Sequence, residues 1–228
     1  RFSASFGVPP WRPSPGLPFL LKNAPYDFFR PVHAISSGPN YRMDGGSAVI
    51  LWFWYFVIYS FLGFLTEVAF ARLTRNPKRD RKCRYFLPLC PVYGLGAIAI
   101  LLLPEPVRQN PLLLFPCSAL VCTAVEYGTG LFYETFARVS FWDYSHLPLN
   151  LGGRVCLLFA LFWGFLALAL LRVVHPVVER LTALLPPWLF VPALLFTLLD
   201  GVLTFYVLRR ARDTGALRWY LRAKRHAA

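Results

Sequence analysis

Beyond Met43 the chain alternates apolar stretches of about 20 residues with short polar connections, and that length matches a helix crossing the hydrocarbon core of a bilayer at about 1.5 Å per residue. Five such stretches run near 48–71, 85–104, 111–134, 154–174 and 187–208. Inside lipid every backbone amide and carbonyl must be satisfied by the chain itself, so a run of this kind folds as a helix. The pattern therefore predicts an all-α fold: a polytopic transmembrane helix bundle of about five spans. Composition agrees, since 57% of residues are hydrophobic, 17% aromatic and only 15% charged, with a mean hydropathy of +0.48. That balance excludes an ordinary water-soluble domain.

The net charge of +13 would point to nucleic acid in a soluble chain. Here the basic residues flank apolar spans, where they set orientation, so no nucleic-acid partner is expected. The connection RLTRNPKRDRKCR holds seven Lys or Arg between Arg72 and Arg84, and the segment from Arg209 to Arg225 holds seven more. Both belong on the cytoplasmic side. Four spans separate them, an even number, so the two signals agree: N-terminus outside, C-terminus cytoplasmic, the connection at about 135–153 inside. Trp52, Trp54 and Tyr55 then fall near the outer interface, where amphipathic rings are favoured.

Residues 1–42 carry eight prolines and no hydrophobic period, and LPFLL is too short for the apolar region of a signal peptide. They read as a Pro-rich disordered tail or as spurious upstream sequence, with Met43, the only methionine, as the translation start. N-terminal mass spectrometry of the natively expressed protein decides between the two. The remaining organisation is a transmembrane helical domain at 43–210 and a basic cytoplasmic tail at 211–228.

Four acids fall within or at the ends of the spans: Glu67, Glu126, Glu134 and Asp200. Glu67 precedes Arg72 by five residues and Glu134 precedes Arg138 by four, so both suit the cytoplasmic interface, solvated or paired along the helix. Glu126 lies about 12 Å deeper than Glu134 by helical rise, and Asp200 is near mid-span. An ionised carboxylate there costs about 2.5–3.5 kcal/mol and must be paired, protonated or facing a wet cavity. Glu126 and Asp200 are thus the foremost candidates for a substrate or ion pathway, each the other's expected counterpart. A structural interhelical hydrogen bond by a protonated acid is the competing account. Tyr59, Gly63 and Glu67 repeat the spacing of Glu126, Gly130 and Glu134, each set on one helix face.

In LPLCPVYGLGA, Pro88 and Pro91 interrupt the hydrogen-bond ladder while Gly94 and Gly96 permit close packing; the stretch is either a kinked or a broken helix. FWDYSHLPLNLGGR, between spans three and four, reads as a loop docked on or dipping into the membrane face, with Arg154 available to Glu134 or Asp143. The five cysteines form no CxxC pair, so neither a disulfide framework nor a metal site is indicated, and no cofactor motif is present.

YSFLGFLTE (59–67), LCPVYGLGA (89–97), EYGTGLFYE (126–134), WDYS (142–145) and NLGGRVCLLFALFWG (150–164) together resemble the ABC-transporter type IV family of CmpB-like bacterial membrane proteins. The resemblance covers most of residues 50–210. It makes motif positions of Glu67, Pro91, Tyr93, Gly94, Glu126, Tyr127, Glu134, Trp142, Asp143, Tyr144, Asn150, Gly153 and Arg154, with Asp200 beside them. Glu126, Asp200, Glu134, Glu67, Tyr127 and Tyr93 become pathway candidates; Trp142, Asp143, Tyr144, Asn150 and Arg154 form a loop motif. The chain departs from the family at Arg84-Tyr85-Phe86-Leu87, where glycines are usual.

The resemblance implies a multi-pass permease or transport-associated subunit of the bacterial cytoplasmic membrane, its partners the lipid bilayer, a separate ATPase subunit and further copies of itself. No G-x-x-x-x-G-K-[ST] occurs, so the chain has no P-loop of its own. A membrane enzyme acting on a lipid or lipid-linked substrate through Glu134, Asp143 and Arg154 is the alternative. Against it, H-x-x-E-H, H-E-x-x-H and G-x-S-x-G are all absent, and His146 and His175 belong on opposite sides of the membrane. A non-catalytic assembly partner is the third reading.

Overall fold

Apolar runs become helices here wherever proline leaves the amide ladder whole. The computed structural model describes residues 45–74 and 82–219. The expectations for residues 1–42, and for the ends of both basic segments (75–81 and 220–228), lie outside the described residues. Helix α1 spans Gly45–Leu73. Helix α2, Pro91–Leu101, begins at a proline whose missing amide costs nothing in the first turn. A short α3, Glu105–Gln109, leads to Asn110, whose side chain accepts the Leu112 amide at 3.0 Å and caps α4, Pro111–Phe132. A π-helical turn, Tyr133–Ala137, closes on Arg138 in the left-handed region (φ 56°).

The following loop holds strands β1, Asn150–Leu151, and β2, Val155–Cys156, paired antiparallel. Helix α5, Leu157–Ala169, passes through a π-helical turn at Leu170–Val174 into α6, His175–Ala183. After a 3-10 turn at Pro187–Leu189, α7 runs Phe190–Ala211. A final 3-10 turn, Thr214–Leu217, tucks the fully buried Leu217 against Ala137, Val139 and Leu208, so the tail packs on the bundle before its basic end.

Among the described residues, four helical stretches are long and apolar enough to cross a membrane: Gly46–Leu73, Pro111–Ala137, Leu157–Ala183 and Pro187–Ala211. The expected second span, 85–104, is not one helix. Only Pro91–Leu101 is helical, about half the length a crossing needs, and 82–90 is irregular. Pro88 and Pro91 remove two ladder donors, and the amides left over find partners elsewhere. Tyr85 N–H donates to Thr204 Oγ1 (3.0 Å), Phe86 N–H to Asp200 Oδ1 (2.7 Å), and Leu87 N–H to Asp200 Oδ2 (3.4 Å). Cys90 N–H donates to the carbonyl of Ser60 (2.9 Å). Irregular backbone survives among membrane helices only when covered in this way.

Helices α1 and α2 pack antiparallel. Tyr93 lies on Gly63, where a Cβ would overlap its ring, and Gly94 lies on Ser60 and the carbonyl of Phe56. One end of the bundle gathers Trp52, Leu101, Val174 and Val178, with Phe53 against Phe190. The opposite end gathers Phe70, Phe159 and Tyr144. Segment 82–101, half loop and half helix, packs between these two ends against α1 and α7.

Candidate functional site

Glu126 is 5% exposed, on the α4 face turned toward α5. A carboxylate so placed needs donors, and two rings supply them. Trp163 Nε1–H donates to Oε2 at 3.0 Å and Tyr144 O–H to Oε1 at 3.0 Å. Glu67, on α1, accepts from the Tyr93 hydroxyl at 2.9 Å, and the rings of Tyr93 and Trp163 lie 5.0 Å apart. Both acids line one cavity of about 270 Å³. Its walls come from the ends of α1 and α4, the start of α5, Lys82 and Cys83 before α2, loop residues Trp142 and Tyr144, and Thr214 and Arg218 in the tail.

Tyr144 reaches Glu126 because the loop is built to aim it. Tyr144 N–H donates to the carbonyl of Gly153 (2.8 Å), and its ring stacks on Phe159 at 4.5 Å. Gly152 (φ 58°) and Gly153 (φ 69°) turn the chain back through the left-handed region, which glycine adopts freely. A Cβ at Gly153 would also meet Asp143 Oδ1 at 2.8 Å. Asn150 braces both sides of this turn, its Nδ2 donating to the Leu147 carbonyl (2.7 Å) and its Oδ1 accepting from Gly153 N–H (3.1 Å). Asp143 accepts the Ser145 amide at 2.9 Å, which holds its carboxyl below the usual aspartate range. Burial raises the Tyr144 phenol, with the neighbouring Glu126 charge adding to it.

Arg154 chooses Glu134 over Asp143, with Nε at 2.7 Å and Nη2 at 2.6 Å from Oε2. Glu134 raises the guanidinium's already high basicity. Arg154 also lies over the Tyr127 ring (5.4 Å) and lends its carbonyl to Trp142 Nε1–H (2.8 Å). Tyr127 therefore serves the loop anchor, although it follows Glu126 directly in sequence.

The geometry divides the expected site residues in two. Glu67, Tyr93, Glu126, Trp142 and Tyr144 share the cavity; Glu134, Tyr127, Asn150, Asp143 and Arg154 fix the loop that supplies Tyr144. Asp200, 2% exposed, is not the counterpart of Glu126: its carboxylate is engaged by the amides of Phe86 and Leu87. Glu67 turns to Tyr93 across the helix pair. Trp163 was missed as a donor, and its signal was an indole N–H in an otherwise wholly apolar run. A second buried polar group was also missed. Tyr59 O and His175 Nδ1 lie 2.6 Å apart, with His175 Nε2 3.5 Å from Glu179 Oε1; it stands at the other end of the bundle, beside Val178 and Ala97.

The family model described as "Putative ABC-transporter type IV" matches residues 54–206. The chain belongs to that family. It is accordingly a membrane protein of ABC-transporter type, in keeping with its four membrane-length apolar helices. The matched range takes in most of the helical bundle, from Trp54 in α1 to Tyr206 in α7, and with it Glu67, Glu126 and the aiming loop. Neither a curated protein nor a solved structure matches the chain.

Proposed function

We propose that this protein is the membrane-embedded permease-type subunit of an ABC transport system in the bacterial cytoplasmic membrane, working with an ATPase carried on a separate chain. The observation that carries this reading is the cavity lined by Glu67 and Glu126 at the bundle end bearing the basic residues Lys82 and Arg218. A buried acid held by two ring donors, inside a cavity and not sealed in a helix interface, is arranged to meet a polar or charged solute. Family membership supplies the transport context. The sequence carries no P-loop motif, in keeping with nucleotide hydrolysis on a partner that would dock on the cytoplasmic side.

Affinity purification of the tagged full chain in mild detergent tests the reading. A Walker-type ATPase is expected to be retained, and its hydrolysis in proteoliposomes to fall when Glu126→Gln is introduced. Recovery without any ATPase, together with normal growth of the Glu126→Gln strain under all transport-limited conditions, would rule the reading out.

A further inference from the structure

A second void adjoins the cavity that Glu126 lines. Behind it a groove of about 440 Å³ runs between α1, α2 and the α5 segment toward Val174, with Ala69, Ala97 and Ala169 in its walls and no charged side chain among those lining it. Cavity and groove share four wall residues, Thr66, Tyr93, Trp163 and Leu166. The two voids therefore adjoin, with these four side chains between them. At the junction the polar atoms of Tyr93 and Trp163 point to Glu67 and Glu126 on the cavity side, so apolar groove changes to charged cavity within one residue layer, with the two acids at the boundary.

We infer that cavity and groove form one binding site for a long-chain amphiphile with an ammonium head, the head against Glu126 and Glu67 and the chain along the groove. This rests on the reading of the cavity as a substrate chamber and names the substrate class; binding itself needs no ATPase. The groove fits an alkyl chain, because its lining is mainly apolar and the polar atoms of Tyr59, Thr66, Tyr93 and Trp163 are already bonded within the protein, leaving chiefly dispersion contacts. The acids choose the head. A carboxylate accepts at about four lone-pair positions, and Tyr144 and Trp163 use two on Glu126. An ammonium brings three donors and the opposite charge, and that attraction is stronger away from bulk water. An anionic head would instead be drawn to Lys82 and Arg218 and would gain nothing from Glu126.

Native mass spectrometry of the purified full chain tests the assignment with two probes of identical acyl chain, lysophosphatidylethanolamine and lysophosphatidylglycerol, which differ in the amine. The amine-headed probe is expected to bind about tenfold more tightly, the scale of a charge-assisted hydrogen bond, and Glu126→Gln to remove that preference. Should Glu126→Gln not purify as a folded protein, Glu67→Gln is expected to reduce the preference on the same head. Ala69→Trp, which narrows the groove without touching either acid, is expected to weaken both probes. Equal binding of the two probes by the wild type overturns the assignment, as does a preference that survives the acid substitutions or chain binding indifferent to Ala69→Trp. Amine-selective binding without a retained ATPase upholds the ligand site and defeats the transport reading; a retained ATPase without amine selectivity does the reverse.

Discussion

The carboxylate of Asp200 in α7 accepts the amide of Phe86 at 2.7 Å and that of Leu87 at 3.4 Å, so a mid-span acid serves backbone groups from a different part of the chain. The helix ladder is missing at 82–90, and Asp200 with Thr204 replaces part of it. Removing a buried acceptor leaves each stranded donor costing about 1–3 kcal/mol. Asp200→Ala is therefore expected to lower the unfolding temperature in detergent severely. Asp200→Asn keeps one carbonyl oxygen and should lose less. Thermal unfolding of the two variants checks the order, and an Asp200→Ala protein as stable as wild type would refute the role.

That acid also shows where the sequence stops being legible. Its depth and its need for a partner follow from hydropathy alone. Its partner does not, because Phe86 and Leu87 contribute only backbone amides, 114 and 113 residues away, and no side-chain pattern marks them. The long helices α1, α4 and α7 were readable from length and apolarity. Pro88 and Pro91 left a kink and a break equally open, and the choice of a break depends on Asp200 and Thr204 standing opposite. Motif order singled out Tyr144, but its purpose needs the tight turn at Gly152 and Gly153 that carries it to Glu126. Trp163 was hidden by its own ring, which satisfies the apolar pattern while its N–H does polar work.

The Glu134 and Arg154 side chains are 30% and 24% exposed, so their ion pair is partly solvated, contributes little to stability and is weakened by salt. Its larger effect is positional, since the same residue holds Tyr127 and the Trp142 loop. Arg154→Ala is expected to leave the unfolding temperature nearly unchanged while raising the labelling of a cysteine placed at Ser145. Arg154→Lys should restore little, because a point charge cannot copy the guanidinium fork. Labelling rates equal to wild type in both variants would contradict the anchor.

Tyr144 gives the site a signature at alkaline pH. Its folded-state pKa is raised, chiefly by burial, so its contribution to stability is fully present below the unfolded tyrosine value of about 10 and declines as pH rises beyond that toward the folded value. Other buried groups share the trend, so the measurement is a difference. Unfolding temperatures of wild type and Tyr144→Phe, compared from pH 8 to 11, should converge with rising pH. A constant gap would show that the phenol does not stay protonated on Glu126.

Two glycines test whether close helix approach holds α2 in place. A Cβ at Gly94 would overlap Ser60 Oγ and stand 2.7 Å from the carbonyl of Phe56, backbone that cannot swing aside, whereas a Cβ at Gly128 meets nothing within 4 Å. Gly94→Ala must therefore push α2 from α1. That movement strains the hydrogen bond from the Cys90 amide to Ser60 and shifts Tyr93, one wall of the cavity. It is expected to cost about 1–3 kcal/mol, the usual range for overpacking. Gly128→Ala lies inside α4 in open space and should gain about 0.5–1 kcal/mol from reduced backbone freedom in the unfolded chain. Thermal unfolding of both variants in one detergent checks the sign of each. Equal effects would mean that helix propensity, and not the contact between α1 and α2, governs stability at Gly94.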